Sequence, residues 1–460
     1  MTTRPRRTDF GQMFAGSRRD PCAPTLGESA ARASLHRPQT GLVFVACFVL
    51  AACSSNPSLS NASRIVNIGV ELPMSGGEAP NGVPTLNGVK LAITDVNGAG
   101  GIAGYTIGVN SQDDAVNGVT NPEQGARNIS TLVNDRSVIG VVGPFDSGVA
   151  EAEIPISNAA GLLQCSPSNT DPDLTKPWGG ISPLTYRPTH PDQIAYVRVA
   201  PTDDPQGLAG AQNAYQDLGA RRASVMDDTT AYGAGVAGVF VADFERMGGT
   251  VVRHDTAGPS VTDYTGLLTA AKALNPDVVY FGGETTDGGA LLRKQMVAAG
   301  MAKIPFVGPD GINDGSAATP GSFLNLAGAQ GAPNTWSTLL TAHDLPNAGA
   351  FAAKYDAAFG TSSPGDYSAA AYACTQVILD AFKHVGTPDR AAIRAYITSG
   401  APFDTVLGTL HFDANGDSSQ QIISEYTFDP TLNGGDWAFV KQVDVGQLAG
   451  GTPSPTPSGG

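Results

Sequence analysis

From Ile65 onward the chain alternates short runs of β-branched and aliphatic residues with stretches of helix length, in which apolar positions recur every three or four residues. IVNIGVEL leads to TLNGVKLAITDVN, TIGVNSQD to PEQGARNISTLVN, SVIGVVG to GVAEAEIPISNAA, and LLQCS closes the series. This is a βαβ succession. The apolar runs lack a clean in/out alternation, as do strands buried on both faces of a parallel sheet, so helices are expected on both sides. A second series opens near Ile194 with AYVRVAP, runs through RASVMDD, TVVRHDTA and DVVYFGG with helical stretches between them, and ends at IPFVGP. Two sheets are therefore predicted. FAAKYDAAFG and YSAAAYACTQVILDAFKHVG read as helices that pack on them, and LGTLHFDANGD as a turn into late strands.

The ends carry a different pattern. Arg32 and Arg37 precede an apolar run from Gly41 to Ala52, the length of a secretion-signal core and too short to cross a bilayer as a helix. It ends in Leu50-Ala51-Ala52-Cys53, which resembles the lipobox of bacterial lipoproteins. Residues 1–53 are thus expected to be a lipoprotein signal peptide with lipidation at Cys53, and 54–64 a Ser/Asn-rich tether. The segment before the apolar run is long for a signal, so translation is expected to start at Met13 or a later codon. The tail from Gly450, GGTPSPTPSGG, is expected to be disordered. A protein with this address is extracytoplasmic, held on a cell-envelope membrane by acyl chains alone.

Composition narrows the class. With 41% apolar and 15% charged residues over 460 positions, the chain can bury a sizeable core. Residues 1–53 hold seven Arg and three acids, which leaves about −19 on the rest against −15 for the whole. Such acidity gives no electrostatic case for nucleic acid. Beyond Cys53 only Cys165 and Cys374 remain, too few for a metal cluster; they could pair, but both fall in apolar segments, where small buried thiols are the commoner outcome.

Catalytic signatures are missing. The six His show no HExxH or HxH spacing, and neither a GxSxG elbow nor a GxxxxGK[ST] loop occurs. Gly98-Ala-Gly-Gly-Ile-Ala-Gly104 follows a helix instead of opening one, so it is a helix stop and turn. Asp413-Ala-Asn415-Gly-Asp417 begins like a calcium loop, but its glycine is misplaced and Ser424 stands where a bidentate Glu is required. No enzyme activity, cofactor or metal is expected.

What stands out is a set of hydroxyls and acids at predicted strand ends, where parallel sheets bind ligands. SVIGVVG runs into Pro144-Phe-Asp-Ser147, and LLQC into Ser166-Pro-Ser168-Asn-Thr170-Asp-Pro. Ser and Thr there also serve as helix caps. Taken together, PMSGGEAPNGVPTLNGVKLAITDVNGAGGI, SPSNTDPDLT, LLRKQMVAAG, FVGPDG and LGTLHFDANGD, in that order, resemble the Leu/Ile/Val-binding family, the type I periplasmic substrate-binding proteins of branched-chain amino acid ABC transporters.

The resemblance covers Ile65 to about Gly450 and implies two Rossmann-like lobes, an α/β Venus flytrap, joined by three crossovers around a central ligand cleft. Lobe 1 would comprise 65–198 and 338–407, and lobe 2 199–337 and 408–449. Carried over position by position, Ser147 resembles the serine that binds the ligand carboxylate, and Thr170 the threonine that shares that carboxylate and reaches the ammonium. Ser168 would offer a backbone carbonyl to the ammonium. Tyr232 resembles the tyrosine that closes over the ligand, and Asp310 the acid that pairs with the ammonium. A zwitterion held this way leaves no buried charge uncompensated.

Two positions depart from the pattern. Asn81 stands where relatives that bind aliphatic side chains often carry an aromatic, and Glu284 where a tyrosine is common. If both face the cavity, a polar or cationic ligand side chain is preferred to Leu or Val; the other reading puts Glu284 at the solvent rim. The implied function is capture of a small amino-acid-like solute by a monomer that delivers it to an ABC permease. A ligand sensor of the same fold, or a binder of an amide, urea or other polar solute, are the alternatives.

Overall fold

The computed structural model describes residues 64–340, 347–361 and 365–444. The expectations for the signal peptide, Cys53, the tether and the tail lie outside these residues, apart from Arg64, which already starts a strand.

Each lobe is built on its own sheet. In the first, β1 (Arg64–Leu72), β2 (Tyr105–Asp113), β5 (Val138–Val142), β6 (Gln164–Ser166) and β7 (Tyr196–Arg198) lie in the order β2-β1-β5-β6-β7, all parallel, with a small hairpin of β3 (Ala115–Val116) and β4 (Val119–Thr120) beyond β2. Helices α1 (Ala79–Gly98), α2 (Pro122–Asn134) and α3 (Ser147–Ala160) make the crossovers. The second sheet holds β8 (Arg222–Asp227), β9 (Thr250–Thr256), β10 (Val278–Gly282), β11 (Phe306–Gly308) and β12 (Thr335–Leu339), linked through α5 (Ala231–Arg246), α6 (Thr265–Ala273), α7 (Ala290–Ala298) and α8 (Phe323–Gly331), with α4 (Asp203–Gln212) leading in. Its order, β16-β15-β12-β11-β10-β8-β9, is completed by antiparallel β15 (Ile422–Asp429) and β16 (Asp436–Asp444).

The missing alternation in the apolar runs is explained by burial on both faces. All five residues of β5 and all five of β10 are buried. In β10, Val279 and Phe281 join one core with Phe306 and Phe323, while Val278 and Tyr280 join another, where the Tyr280 ring stacks on Phe240 at 3.8 Å. After β12 the chain returns to the first sheet through α9 (Ala348–Phe359), α10 (Ser368–Val385) and α11 (Arg390–Ile397). Helix α10 is buried along most of its length, packing Val377, Ile378 and Phe382 into the first core. Gly88 of α1 lets the two helices approach closely, since a Cβ there would meet the Ser368 carbonyl oxygen at 2.1 Å.

Two details differ from expectation. The segment from 408 onward was assigned to lobe 2, but β14 (Gly408–Leu410) pairs with β13 (Phe403–Thr405), and Leu410 and Phe412 belong to the first core; the return to the second sheet is made by β15. And Cys165 of β6 is joined to Cys374 of α10 in a disulfide, with 5.6 Å between Cα atoms, rather than both remaining thiols. Both cysteines are fully buried, so the apolar flanks were read correctly, but α10 lies directly on β6 and brings the sulfurs together across 209 residues.

Candidate functional site

The first sheet changes winding direction between β1 and β5, and the second between β8 and β10, so the strand carboxyl ends at those points face open crevices. From the first come Phe145, Asp146 and Ser147 after β5, and Ser168 and Thr170 after β6. From the second come Tyr232 at the start of α5, Glu284 after β10, and Asp310 and Gly311 after β11. All seven expected ligand residues, Asn81, Ser147, Ser168, Thr170, Tyr232, Glu284 and Asp310, line one inner space with Phe145, Asp146, Gly311 and Tyr367. That space adjoins a larger cavity of about 510 Å³ lined by Thr120, Gly148, Val149, Thr230, Pro259 and Asp287 among others. Asp146, Ser147, Tyr232 and Glu284 form walls of both.

Local chemistry fixes these positions. Ser147 opens α3, and with Gly148 and Val149 on the cavity wall the positive end of that helix faces the ligand space. The loop carrying Ser168 and Thr170 is held by Ser166, whose hydroxyl oxygen accepts from the Asn169 amide N–H at 2.9 Å and donates to the Pro144 carbonyl at 2.8 Å. Ser168 donates its own hydroxyl to the Phe145 carbonyl at 2.6 Å and its amide N–H to the Ser166 hydroxyl at 3.2 Å, which leaves its backbone carbonyl for any ligand contact. The Thr170 hydroxyl is buried and makes no well-formed hydrogen bond, although the buried Asp203 carboxyl lies near it. Asp228 organises the opposite wall: it accepts from Thr230 N–H at 2.9 Å at the start of α5, and from Glu284 N–H at 3.2 Å. Gly283, between β10 and Glu284, has φ +145°, and a Cβ there would collide with the Asp228 carboxylate at 2.2 Å, so only glycine fits.

Asp310 is held by three hydrogen bonds. Its Oδ1 accepts from Tyr232 Oη at 2.7 Å and Gln206 Nε2 at 2.8 Å, and its Oδ2 from Tyr367 Oη at 2.6 Å. Burial pushes its carboxyl up, and the Tyr367, Tyr232 and Gln206 hydrogen bonds pull against that. Tyr367 precedes α10 and packs edge-on against Phe145 at 4.9 Å, so its bond to Asp310 spans the cleft from the first lobe to the second. A second bridge runs from the Thr286 hydroxyl to Glu78, which also accepts from Asn81 Nδ2 at 3.1 Å.

Glu284 stands on the cavity wall with part of its surface still exposed, and Asn81 lines the same inner space. Burial pushes the Glu284 carboxyl well up, and the charges of Asp146 and Glu78 add to the effect. Asp146 is pushed up to about 7 and Asp287 to about 8, in both cases chiefly by burial. Sequence reasoning missed Asp146, Glu78 and Tyr367. Asp146 was visible as the neighbour of Ser147, whereas nothing in the pattern around Tyr367 marks it.

Elsewhere, the Glu151, Asp171 and Asp173 carboxylates stand close enough to share an ion, but Tyr186 donates to Glu151 at 2.9 Å and lies 3.2 Å from Asp173, so the protein itself supplies a donor. The 413–417 segment is a turn: Asp413 Oδ1 accepts from the N–H groups of Asn415, Gly416 and Asp417 at 2.8–3.0 Å.

A family model for periplasmic binding proteins matches residues 65–428. The chain is 30% identical over 376 residues to the Leu/Ile/Val-binding protein BraC3 of Rhizobium johnstonii, covering 79% of this chain and 92% of that one. Among solved structures, a leucine-binding protein LivK of Thermotoga maritima superposes with a TM-score of 0.70 at 24% identity, covering 83% of this chain and all of that one. The LivJ protein of Streptococcus pneumoniae in complex with isoleucine gives 0.68 at 24%, covering 82% of this chain and all of that one. With one parallel and one mostly parallel sheet flanking a cleft and most of the chain matched, the protein belongs to the Leu/Ile/Val-binding family of type I periplasmic binding proteins, the extracytoplasmic solute-binding components of branched-chain amino acid ABC transporters.

Proposed function

We propose that this chain is a monomeric, lipid-anchored solute-binding protein that captures a small amino-acid-like ligand by closure of its two lobes and hands it to an ABC permease. The observation that carries this reading is that residues 229 positions apart in sequence, from Asn81 to Asp310, line one cleft, with the buried Thr170 hydroxyl on one side and a tyrosine-held carboxylate on the other. Ser147 and the start of α3 would take the ligand carboxylate, and Thr170, the Ser168 carbonyl and Asp310 the ammonium. The Tyr367–Asp310 and Thr286–Glu78 bridges would then form as the lobes close. The cleft is assigned binding and no covalent chemistry.

A thermal-shift screen against amino acids, amides, urea and polyamines, followed by calorimetry, tests this. Thr170→Val should weaken the ligand found by about 1–3 kcal/mol, because polar partners are left buried without the hydroxyl. Full affinity in both Thr170→Val and Ser147→Ala would move the ligand site out of this cleft. Anchoring is tested separately: Cys53→Ala should release the protein from salt-washed membranes, and a mutant that still sediments with them sinks the lipoprotein reading.

A further inference from the structure

We propose that the ligand carries a second positive charge, on its side chain, and that Asp146 and Glu284 form the subsite that receives it; this rests on the cleft being the ligand site. The geometry of the two spaces is the starting point. The inner one, beneath Thr170 and Asp310, is where the ligand's α-groups belong, and the 510 Å³ cavity lies beyond it. Asp146 and Glu284 belong to both, so any side chain that extends outward from the α-carbon passes between these two carboxyls and then meets Asp287.

Asp146 is an unusual cap. It occupies the residue before α3, where an aspartate normally accepts an amide hydrogen from the first turn, yet it makes no capping bond. Both its carboxylate oxygens are buried and receive no well-formed hydrogen bond from the protein, although the Thr120 hydroxyl and the Glu284 carboxyl lie near. The carboxylate is therefore turned to the cavity, which also keeps the helix start open for an anionic ligand group. No Lys, Arg or His is among the described residues lining either space. Two carboxyls pressed together repel unless a proton or a cation stands between them, and burial already drives both toward the protonated form. An ammonium or guanidinium would give both carboxylates a counter-charge and relieve that repulsion, whereas an aliphatic side chain would leave them facing apolar surface.

The test is calorimetry on the purified full-length protein with four probes: L-arginine, L-citrulline, L-leucine and agmatine. Citrulline keeps the shape of arginine without the charge. Wild type should bind arginine on the order of a hundredfold more tightly than citrulline. In Glu284→Gln, and separately in Asp146→Asn, that ratio should fall by about tenfold or more, and unaltered melting temperatures would show that both variants fold. Leucine or citrulline binding as tightly as arginine, or a ratio unmoved in both variants, overturns the cation subsite while leaving the amino-acid reading standing. Agmatine binding with arginine excluded does the reverse, since agmatine has the guanidinium but no carboxylate. Binding of none of the four overturns both.

Discussion

Asp310→Asn should weaken ligand binding by about 2–5 kcal/mol, mostly through faster dissociation, with the melting temperature unchanged or slightly raised. The carboxylate accepts three hydrogen bonds, from Tyr232, Gln206 and Tyr367, and all can survive in Asn: its oxygen can keep Tyr232 and Gln206, and the Tyr367 hydroxyl can turn to accept from the new amide. What disappears is the charge. In the unliganded protein that charge is held against desolvation, as the upward push on the Asp310 carboxyl records, so its removal costs the fold nothing. In the complex it is the counter-ion of a buried ammonium, and truncating one member of such a pair leaves the other uncompensated. Because Tyr367 reaches Asp310 from the opposite lobe, the loss should emerge after closure, as escape from the closed form. Stopped-flow dissociation alongside calorimetry separates the two rates. Wild-type affinity in Asp310→Asn would mean that no ligand ammonium sits at this acid, and the ligand would then not be an α-amino acid.

Most of the frame was legible because the relevant signals are local. Burial of β5 and β10 on both faces erases alternation in the sequence itself, and the hydroxyls and acids after β5, β6, β8 and β11 sit within a few residues of the strands that aim them. The resemblance supplied roles that spacing could not: Thr170 and Asp310 lie 140 positions apart, and no periodicity connects them. What escaped was set by tertiary approach. Tyr367 reaches the cleft only because α10, more than 250 residues downstream of α1, packs beside it. The Cys165–Cys374 bond depends on the same docking, which local apolar flanks cannot report. Glu284 could be seen as a departure, but its placement depends on Asp228, which holds its backbone, and on Gly283, neither of which the local pattern reports. Asp146 stood next to Ser147 in the sequence, but only the absence of a capping bond in the fold shows that its carboxylate is not used to hold the helix start.

The segment that begins like a calcium loop instead supplies half of a buried ion pair, and breaking that pair should be strongly destabilising. Arg198, at the end of β7 and fully buried, donates Nε to Asp417 at 2.7 Å, one terminal nitrogen to the Asp171 carbonyl at 2.6 Å, and the other to the Thr175 hydroxyl. Thr175 in turn donates to Asp417 at 2.8 Å, and the Arg198 amide donates to the Gly416 carbonyl at 3.1 Å. Two of the strands of chain that pass between the lobes, one leaving β7 and one leading to β15, are thereby tied together, and the loop carrying Thr170 is braced at its next residue. Burial alone would raise the Asp417 carboxyl, but Arg198, Lys176 and Thr175 outweigh it and hold it below the usual carboxylate range. A carboxyl lowered in the folded state contributes stability that is complete above its unfolded pKa and disappears as pH falls through the folded one, so the pair should operate fully at neutral pH. Arg198→Met removes the cation and leaves a buried carboxylate unpaired, for an expected loss of about 3–5 kcal/mol in urea unfolding at pH 7. Arg198→Met with Asp417→Leu should recover much of that, since an apolar pair of similar volume carries no desolvation penalty, and the gap between single variant and wild type should narrow toward pH 3 as Asp417 protonates. A single variant within 1 kcal/mol of wild type, or a double variant no better than the single, would show that the pair is solvated and that Asp417 does not depend on Arg198 for its charge.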